Sequence, residues 1–213
     1  MKIALIGGTG FVGSAVLKEL LDRGHEVVAL ARTPGKYASQ PKLSVVQADV
    51  LDARQVSSAV AGTDAVVDAY NPGWSNPDIY NEFLAGTQAI LDGIKTAGVK
   101  RVLVVGGAGS LYVAPGLQLI DTPEFPAAYK QGALGARKAL NDLRDEQTLE
   151  WSFLSPPVFL APGERSGKYR FGKDDLLFDG DKPAGISVAD LAVAIVDEIE
   201  EGRHIRQRFT VAS

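Results

Sequence analysis

Three glycines repeat at every third position near the start of the chain, at Gly7, Gly10 and Gly13. Glycine has no side chain, so it permits tight turns and lets a phosphate approach the backbone closely. Where a helix begins at such a turn, its free N–H groups and the positive end of its dipole attract an anion. The spacing therefore predicts the pyrophosphate-binding turn of a dinucleotide site. The residues assigned to this turn are Gly7, Gly8, Thr9, Gly10, Phe11, Val12 and Gly13.

The residues on both sides of the glycines predict the elements that such a turn requires. Residues 3–6 are apolar and typical of a buried strand, and residues 14–21 have the pattern of an amphipathic helix. A strand, a glycine turn and a helix in this order form the arrangement that holds a dinucleotide pyrophosphate. The alternative interpretation is a glycine-rich turn that binds no ligand, and the two flanking elements argue against it.

The end of the second predicted strand, residues 25–31, bears on which nucleotide is bound. Proteins that prefer NAD usually carry an acidic residue there to bind the ribose 2′-hydroxyl, whereas an arginine suits the 2′-phosphate of NADP. Here Arg32 follows the strand, no acidic residue is present, and Lys36 is close in sequence. We therefore expect a preference for NADP(H), with NAD(H) as the second choice. An ordinary solvent-exposed arginine is the alternative interpretation.

Two further strand ends supply candidate cofactor contacts, because ligands of such sheets bind at the carboxyl ends of the strands. We expect Asp49 and Val50 to lie near the adenine. We expect Ala69, Tyr70 and Asn71 to lie near the ribose and the pyrophosphate. Asp49 also suits the N-cap of the next helix, and the two roles are compatible.

The loop at residues 70–77 is rich in turn-forming and aromatic residues. Its two largest aromatic side chains are Tyr70 and Trp74. They either form part of a substrate wall or cover the edge of the sheet. The sequence leaves both interpretations open.

Predicted strands and helices alternate along the chain, which is typical of right-handed βαβ crossovers. The predicted fold class is therefore α/β, a Rossmann-type doubly wound parallel sheet. We expect a single domain over residues 1–213, with residues 156–185 as a small C-terminal lobe on the substrate side. The other strands are expected at residues 43–48, 65–69, 101–105, 150–154 and 207–211, and the other helices at 53–60, 78–97, 126–146 and 188–200.

The composition excludes several kinds of site. The chain of 213 residues has no cysteine, which rules out disulfides, thiolate nucleophiles and cysteine-ligated metals. Its only histidines, His25 and His204, lie beside predicted turns, so we expect no metal site. The net charge of −4 disfavours a nucleic-acid partner.

The hydropathy pattern bears on location. No apolar run approaches the length of a membrane span, and no signal peptide is evident before the first predicted strand. We therefore expect a cytoplasmic protein without membrane contact. The expected partner is a small-molecule substrate, and the oligomeric state is left open between monomer and homodimer.

Seven segments together carry a resemblance to a known family: residues 7–13, 49–50, 106–109, 151–157, 167–170, 186–190 and 208–211. They resemble the atypical, extended-like branch of the short-chain dehydrogenase/reductases. Within it, the chain is similar to the NAD(P)H-binding subgroup of NADH-flavin reductases, NmrA-like proteins and biliverdin-IXβ/flavin reductase. The resemblance covers essentially the whole chain. It implies a nicotinamide cofactor, with Gly106 and Gly107 among its contacts.

Typical members of this family use a serine, a tyrosine and a lysine four residues after the tyrosine, which lowers the tyrosine pKa. The resemblance implies a tyrosine on the helix predicted at residues 126–146, where Tyr129 is the candidate. Ala133 occupies the lysine position, and Lys130 points to another side of the helix. Glycines fill the expected serine position, which leaves Ser110 as the candidate serine.

One formal Tyr-x-x-x-Lys sequence does occur, at Tyr169 and Lys173. It follows the sixth predicted strand rather than the fifth, and it contains Gly172. We therefore predict a loop or short hairpin there, not a catalytic helix.

The segment after the sixth strand has two features with open interpretations. Pro156 and Pro157 either contact the nicotinamide ring or form a structural turn. Arg165, Lys168 and Arg170 make the following stretch basic, which suits the phosphate of FMN. A solvent-exposed loop is the alternative for these three residues.

The combined interpretation is an NAD(P)H-dependent oxidoreductase that transfers hydride from NADPH to a flavin or a similar conjugated acceptor, with FMN or FAD as substrates. Such an acceptor takes its proton from water, so positioning matters more than an acid. The first alternative is a non-catalytic NAD(P)-binding sensor of the NmrA-like kind. A weaker alternative is a sugar-nucleotide epimerase or reductase, against which the missing Tyr–Lys pair argues.

Overall fold

The computed structural model describes residues 1–213, in which strands and helices alternate. The five helices are α1 Phe11–Asp22, α2 Ala53–Val60, α3 Ile79–Thr96, α4 Ala127–Arg144 and α5 Val188–Glu201. The first seven strands are β1 Lys2–Ile6, β2 Glu26–Ala31, β3 Leu43–Gln47, β4 Ala65–Asp68, β5 Arg101–Val105, β6 Tyr112–Ala114 and β7 Leu117–Gln118. The last seven are β8 Glu150–Ser155, β9 Phe159–Ala161, β10 Arg170–Gly172, β11 Phe178–Asp179, β12 Lys182–Pro183, β13 Gly185–Ser187 and β14 Gln207–Ala212.

Eight strands form the central sheet, in the order β10-β14-β8-β5-β4-β1-β2-β3. All neighbours in it pair in parallel except β10, which runs antiparallel to β14 at one edge. β1 pairs with β2 on one side and with β4 on the other, so the strand order reverses beside it. The predicted doubly wound α/β fold is confirmed, and its ligand crevice is expected at the carboxyl end of β1.

Helices cover both faces of this sheet. α1 and α5 pack together on one face, while α2, α3 and α4 pack on the other. In β1, Ile3 and Leu5 belong to the apolar cluster on the face covered by α1 and α5. Ala4 and Ile6 belong to the cluster on the face covered by α2, α3 and α4. Because both faces are covered, the central strands carry continuous runs of apolar residues rather than apolar residues at alternate positions. None of the helices combines the length and the apolar character that crossing a lipid bilayer requires.

Local hydrogen bonds define the helix ends. Ser187 caps α5 by accepting the N–H of Asp190 at 3.0 Å, and Gly202 ends that helix with a φ of 63°. These contacts fit the Ser-x-x-Asp spacing and the left-handed conformation that glycine adopts easily. The predicted capping role of Asp49 is wrong, because Asp52 accepts the N–H of Arg54 and is the N-cap of α2.

Residues 156–185, predicted as a small lobe, consist of short strands and turns. β9 pairs with β13, and β11 pairs with β12 in a hairpin. β10 extends the central sheet instead, so part of this segment belongs to the main body of the fold. Arg165 binds Glu19 of α1 at 2.7 Å, and Tyr169 donates to Asp197 of α5. The segment is therefore attached to the outer side of the α1–α5 pair.

Candidate cofactor site

The turn between β1 and α1 contains backbone positions that only glycine can occupy. Gly7 has a φ of +78°, and a Cβ atom there would lie 2.3 Å from the carbonyl oxygen of Ala69. A Cβ atom on Gly13 would lie 2.1 Å from the carbonyl oxygen of Gly7. Helix α1 thus packs directly onto the turn, and Gly7 and Gly13 fix its shape.

Gly10 leaves the start of α1 open to a ligand. It is the N-cap of that helix, and its own N–H donates to the carbonyl oxygen of Gly7 at 2.9 Å. It brings no side chain to bind the free N–H groups of the first turn, and no acidic residue lies in that turn. A bare helix start of this kind fits the pyrophosphate of a dinucleotide.

A crevice of about 510 Å³ opens at the carboxyl ends of β1, β2 and β4. The predicted cofactor residues that line it are Gly7, Thr9, Gly10, Arg32, Val50, Ala69, Tyr70 and Asn71. Its remaining lining residues are Ile6, Leu30, Ala31, Thr33, Lys36, Tyr37 and Ala48. Those predicted cofactor residues that do not line it are Gly8, Phe11, Val12, Gly13, Asp49, Gly106, Gly107, Pro156 and Pro157.

The end of the crevice beside β2 is positively charged. Arg32 and Lys36 line it, and neither side chain takes part in an ion pair within the protein. No aspartate or glutamate is among the lining residues. The two cations are therefore available to an anionic group, and no carboxylate is placed to accept a ribose hydroxyl.

Tyr37 is a crevice residue that the sequence did not single out. A short 3₁₀ helix at Pro34–Lys36 leads into it, and its hydroxyl would lie 2.7 Å from a Cβ atom on Gly8. The tyrosine thus lies directly over the glycine turn, and burial raises its pKa. The Pro-Gly pair at positions 34–35 marked a turn, but the folding of that turn back over Gly8 depends on tertiary packing.

Asp68, at the end of β4, is buried, with 2% of its surface exposed. It accepts the N–H of Tyr70 at 2.9 Å. Burial raises the pKa of Asp68 to about 6, against the opposing effect of that hydrogen bond. An aspartate ending an otherwise apolar strand was the signal that could have identified this position.

Tyr70 serves packing as well as the crevice. Its ring stacks on Phe83 of α3 with centroids 6.3 Å apart, and it fills the space that a Cβ atom on Gly86 would occupy. Burial raises the pKa of Tyr70 to about 12. This ring therefore packs against α3, and the choice between a substrate wall and a cover for the sheet edge stays open for the loop.

Ser110 lies in the 3₁₀ helix Ala108–Ser110 after β5 and is buried. Its Oγ accepts a hydrogen bond from the Arg208 guanidinium at 3.4 Å. The same guanidinium donates to Ser155 Oγ at 3.3 Å and to Asp174. Because arginine only donates, the Ser110 proton is left free to be donated elsewhere.

Tyr129 lies in the first turn of α4 and is half-exposed. Its ring packs edge-on against Trp74, with centroids 5.1 Å apart and an interplanar angle of 84°. One helical turn later, Ala133 is buried. The structure therefore brings Tyr129 together with Trp74, while the position that would carry a lysine holds a methyl group.

Among the glycines and prolines after β5 and β8, Gly106 has a structural explanation. A Cβ atom on Gly106 would lie 2.0 Å from the ring of Phe153, so this glycine accommodates a core side chain. Gly107 is the residue before the 3₁₀ helix at Ala108–Ser110. Pro156 is half-buried and Pro157 is buried, directly after β8. Contact of these four residues with a nicotinamide ring stays a prediction.

The basic residues of the C-terminal segment are largely occupied. Arg165 binds Glu19, and Arg170 binds Asp179 at 2.8 Å, which leaves Lys168 as the one cation of the three without an ion-pair partner. These ion pairs favour a structural role over a flavin-phosphate site. The described residues contain no cluster of three or more potential metal ligands.

A family described as NAD(P)H-binding matches residues 7–199 of the chain. Three solved structures share the fold over nearly the full length. A candidate exported protein from Burkholderia pseudomallei is 46% identical, with a TM-score of 0.90 and complete coverage of both chains. A candidate epimerase from Bacteroides thetaiotaomicron is 45% identical, with a TM-score of 0.92, over 99% of this chain and 96% of the other. A candidate NADH-flavin reductase from Streptococcus pneumoniae is 32% identical, with a TM-score of 0.86, over 100% of this chain and 99% of the other.

Proposed function

We propose that this protein, which belongs to the NAD(P)H-binding family, is a reductase that transfers hydride from NADPH to a flavin or a similar flat, conjugated acceptor. The choice of NADPH rests on Arg32 and Lys36, two cations without ion-pair partners that line a crevice without a carboxylate. The similarity to a candidate NADH-flavin reductase supports the class of acceptor.

The chain's own residues have distinct tasks in this proposal. The open helix start at Gly10 binds the pyrophosphate, and Arg32 with Lys36 binds the 2′-phosphate by charge-assisted hydrogen bonds. When bound, the cofactor supplies the hydride at its nicotinamide ring. Ser110 and Tyr129 are the proposed residues on the acceptor side, and Ser110 accepts a hydrogen bond from Arg208 without donating one within the protein.

The absence of a Tyr–Lys pair fits an acceptor of this class. A reduced flavin gains its proton from water, so the protein must align two rings rather than deliver a proton from a tuned acid. Ala133 is compatible with that requirement and incompatible with the usual tyrosine mechanism of carbonyl reduction.

Oxidation of NADPH at 340 nm, measured with added FMN, FAD and a quinone, tests the proposal. We expect FMN-dependent turnover with NADPH that exceeds the turnover with NADH. Tight NADPH binding without turnover on any of these acceptors would contradict the reductase assignment.

A non-catalytic NAD(P) sensor is the second candidate, and Ala133 in place of a catalytic lysine is the observation that favours it. A sensor binds the cofactor and changes its affinity for a protein partner without consuming NADPH. The weaker epimerase alternative draws on the candidate epimerase from Bacteroides thetaiotaomicron. It predicts conversion of a nucleotide sugar with bound NAD, and the missing Tyr–Lys pair argues against it.

The setting of the reaction is part of the proposal. NADPH is regenerated inside the cell, so we propose a cytoplasmic location and a small-molecule substrate, with no nucleic-acid or membrane partner. The oligomeric state is proposed as monomer or homodimer. Cell fractionation and sedimentation measure both properties, and recovery of the protein outside the cytoplasm, as the similarity to a candidate exported protein suggests, would overturn the location.

A further inference from the structure

Two large aromatic side chains are exposed next to each other at the carboxyl edge of the sheet. Trp74 is 55% exposed and Tyr129 is 50% exposed. Their rings meet edge to face at 5.1 Å, a stable arrangement that leaves ring surface of each partner open. Two exposed aromatic rings in contact offer a flat apolar surface to a planar ligand.

The chain connects this pair directly to the cofactor crevice. Trp74 lies in the loop after β4, three residues beyond Asn71, which lines the crevice. Tyr129 lies in the first turn of α4, the helix that follows β5. Because β4 and β5 are parallel neighbours, the segments that leave their carboxyl ends flank the same edge of the sheet. The pair therefore lies at the same edge of the sheet as the crevice and on its β4–β5 side, whereas Arg32 follows β2 on the other side of β1.

The indole is held in a fixed position. A Cβ atom on Gly132 would lie 2.7 Å from Cζ3 of Trp74, so the absence of a side chain there lets the indole rest against α4. The loop is closed by a hydrogen bond from the N–H of Gly73 to the side chain of Asn71 at 2.7 Å, and by one from the N–H of Asn76 to the carbonyl oxygen of Gly73 at 3.0 Å. A preorganised ring loses little entropy when it binds a ligand.

We propose that Trp74 and Tyr129 form the wall on which the planar ring of the acceptor stacks. The inference rests on the proposed reductase function and assigns its acceptor subsite. Tyr129 acts there through its ring and not through its hydroxyl. Tyr70, in the same loop, is not part of this wall, since its ring is stacked on Phe83.

The test measures FMN binding by calorimetry to protein saturated with NADP⁺, in wild type and five variants. Trp74→Ala and Tyr129→Ala are expected to weaken FMN binding roughly tenfold each, because an aromatic contact contributes about that factor. Trp74→Phe and Tyr129→Phe keep the ring and are expected to stay within about twofold of wild type. The matched control is Phe171→Leu, which alters an exposed aromatic residue on the edge strand β10 and should leave FMN binding unchanged.

Three results would overturn the stacking wall: no FMN binding to wild type, unchanged binding in both alanine variants, or an equal loss of NADP⁺ binding in Trp74→Ala. A loss of NADPH oxidation in Tyr129→Phe with FMN binding intact would overturn the ring-only role of Tyr129 and assign the chemistry to its hydroxyl. If the FMN affinities follow the expected pattern but no hydride is transferred, the reductase function is rejected and the stacking site is retained. The two proposals can therefore fail separately.

Discussion

Arg32, which directly follows β2, is the proposed contact for the 2′-phosphate that distinguishes NADPH from NADH. Arg32 has no ion-pair partner in the protein, so its removal leaves no buried charge behind. A charge-assisted hydrogen bond contributes about 1.5–3 kcal/mol. We therefore expect Arg32→Ala to weaken NADPH binding roughly 10- to 100-fold and NADH binding by about twofold or less.

Fluorescence titration with each cofactor measures this difference. Lys18→Ala is the matched control, because it removes an exposed cation of α1 that pairs only with Asp22. Equal losses for NADPH and NADH in Arg32→Ala would refute the assignment to the 2′-phosphate.

Asp68 makes the stability of the fold depend on pH. Its folded-state pKa of about 6 lies above the value of about 3.9 in an unfolded chain, so the folded state holds the proton more tightly. The stability that this proton contributes is complete below about pH 4 and is lost as the pH rises through about 6. We expect Asp68→Asn, which removes the charge but keeps the acceptor for Tyr70, to be more stable than wild type by about 1–3 kcal/mol at pH 8.

Urea unfolding at two pH values checks this expectation. At pH 4 the variant and wild type should agree within about 0.5 kcal/mol, because Asp68 is then protonated in the folded state and about half protonated in the unfolded chain. A difference of the same size at pH 4 and pH 8 would exclude titration of Asp68 as its cause.

At the residue scale, the sequence predicts those features of the crevice that depend on neighbouring residues in the chain. Gly7, Gly10 and Arg32 were identified because a strand and a helix on either side define their positions. The contact of Ser110 with Arg208 was out of reach, since it joins residues 98 positions apart. The overlap of Tyr37 with Gly8 has the same origin, because it depends on the tertiary packing of a loop.

Helix α5 depends on one hydroxyl at its start. Ser187 Oγ accepts the N–H of Asp190 and donates to the carbonyl oxygen of Glu164, so it also secures the C-terminal segment. We expect Ser187→Ala to lower the free energy of unfolding by about 1 kcal/mol. Thermal unfolding should show a melting temperature lower by about 2–4 °C.

The control for this variant is Ser58→Ala, which removes an exposed hydroxyl inside α2 that binds the carbonyl oxygen of Arg54. It caps no helix end and should shift the melting temperature by less than half as much. A similar shift of the melting temperature in both variants would show that the capping contact stabilises the protein no more than the hydroxyl contact inside α2.

At the element scale, long periodic segments were predictable and short irregular ones were not. The five helices and the central strands follow from apolar patterns over 4–18 residues. The hairpin strands β6 and β7 and the edge strand β10 each span three residues or fewer, which is too short to show a period of apolar residues. Their pairing is decided by partners elsewhere, as β10 depends on β14.

At the scale of the whole molecule, a buried ion pair joins the sheet to α5. Arg101 at the start of β5 binds Glu198 at 2.8 Å, and both are also bonded to Ser152 of β8. His204, before β14, binds the other oxygen of Glu198 at 2.7 Å. Removing one partner of a buried pair leaves an uncompensated charge, so Arg101→Met should lower the free energy of unfolding by about 3–5 kcal/mol.

Urea unfolding of Arg101→Met, Glu198→Leu and the double variant measures the coupling. The double variant should regain a large part of the loss, because it buries no unpaired charge. NADPH affinity of the folded variants should be unchanged, since the pair lies at the amino end of β5, opposite the crevice. Additive losses would contradict a coupled pair.

The packing of α1 against α5 has a consequence for synthesis on the ribosome. The glycine turn and α1 emerge early, whereas α5, which covers the apolar side of α1 at Val16 and Leu20, emerges late. At about 5–20 residues per second, the delay is roughly 10–30 s. During that interval the nascent chain carries an uncovered apolar helix, which is a surface that chaperones bind. Ribosome-bound chains arrested before α5 should therefore be captured by chaperones, and chains extended past β14 should be released.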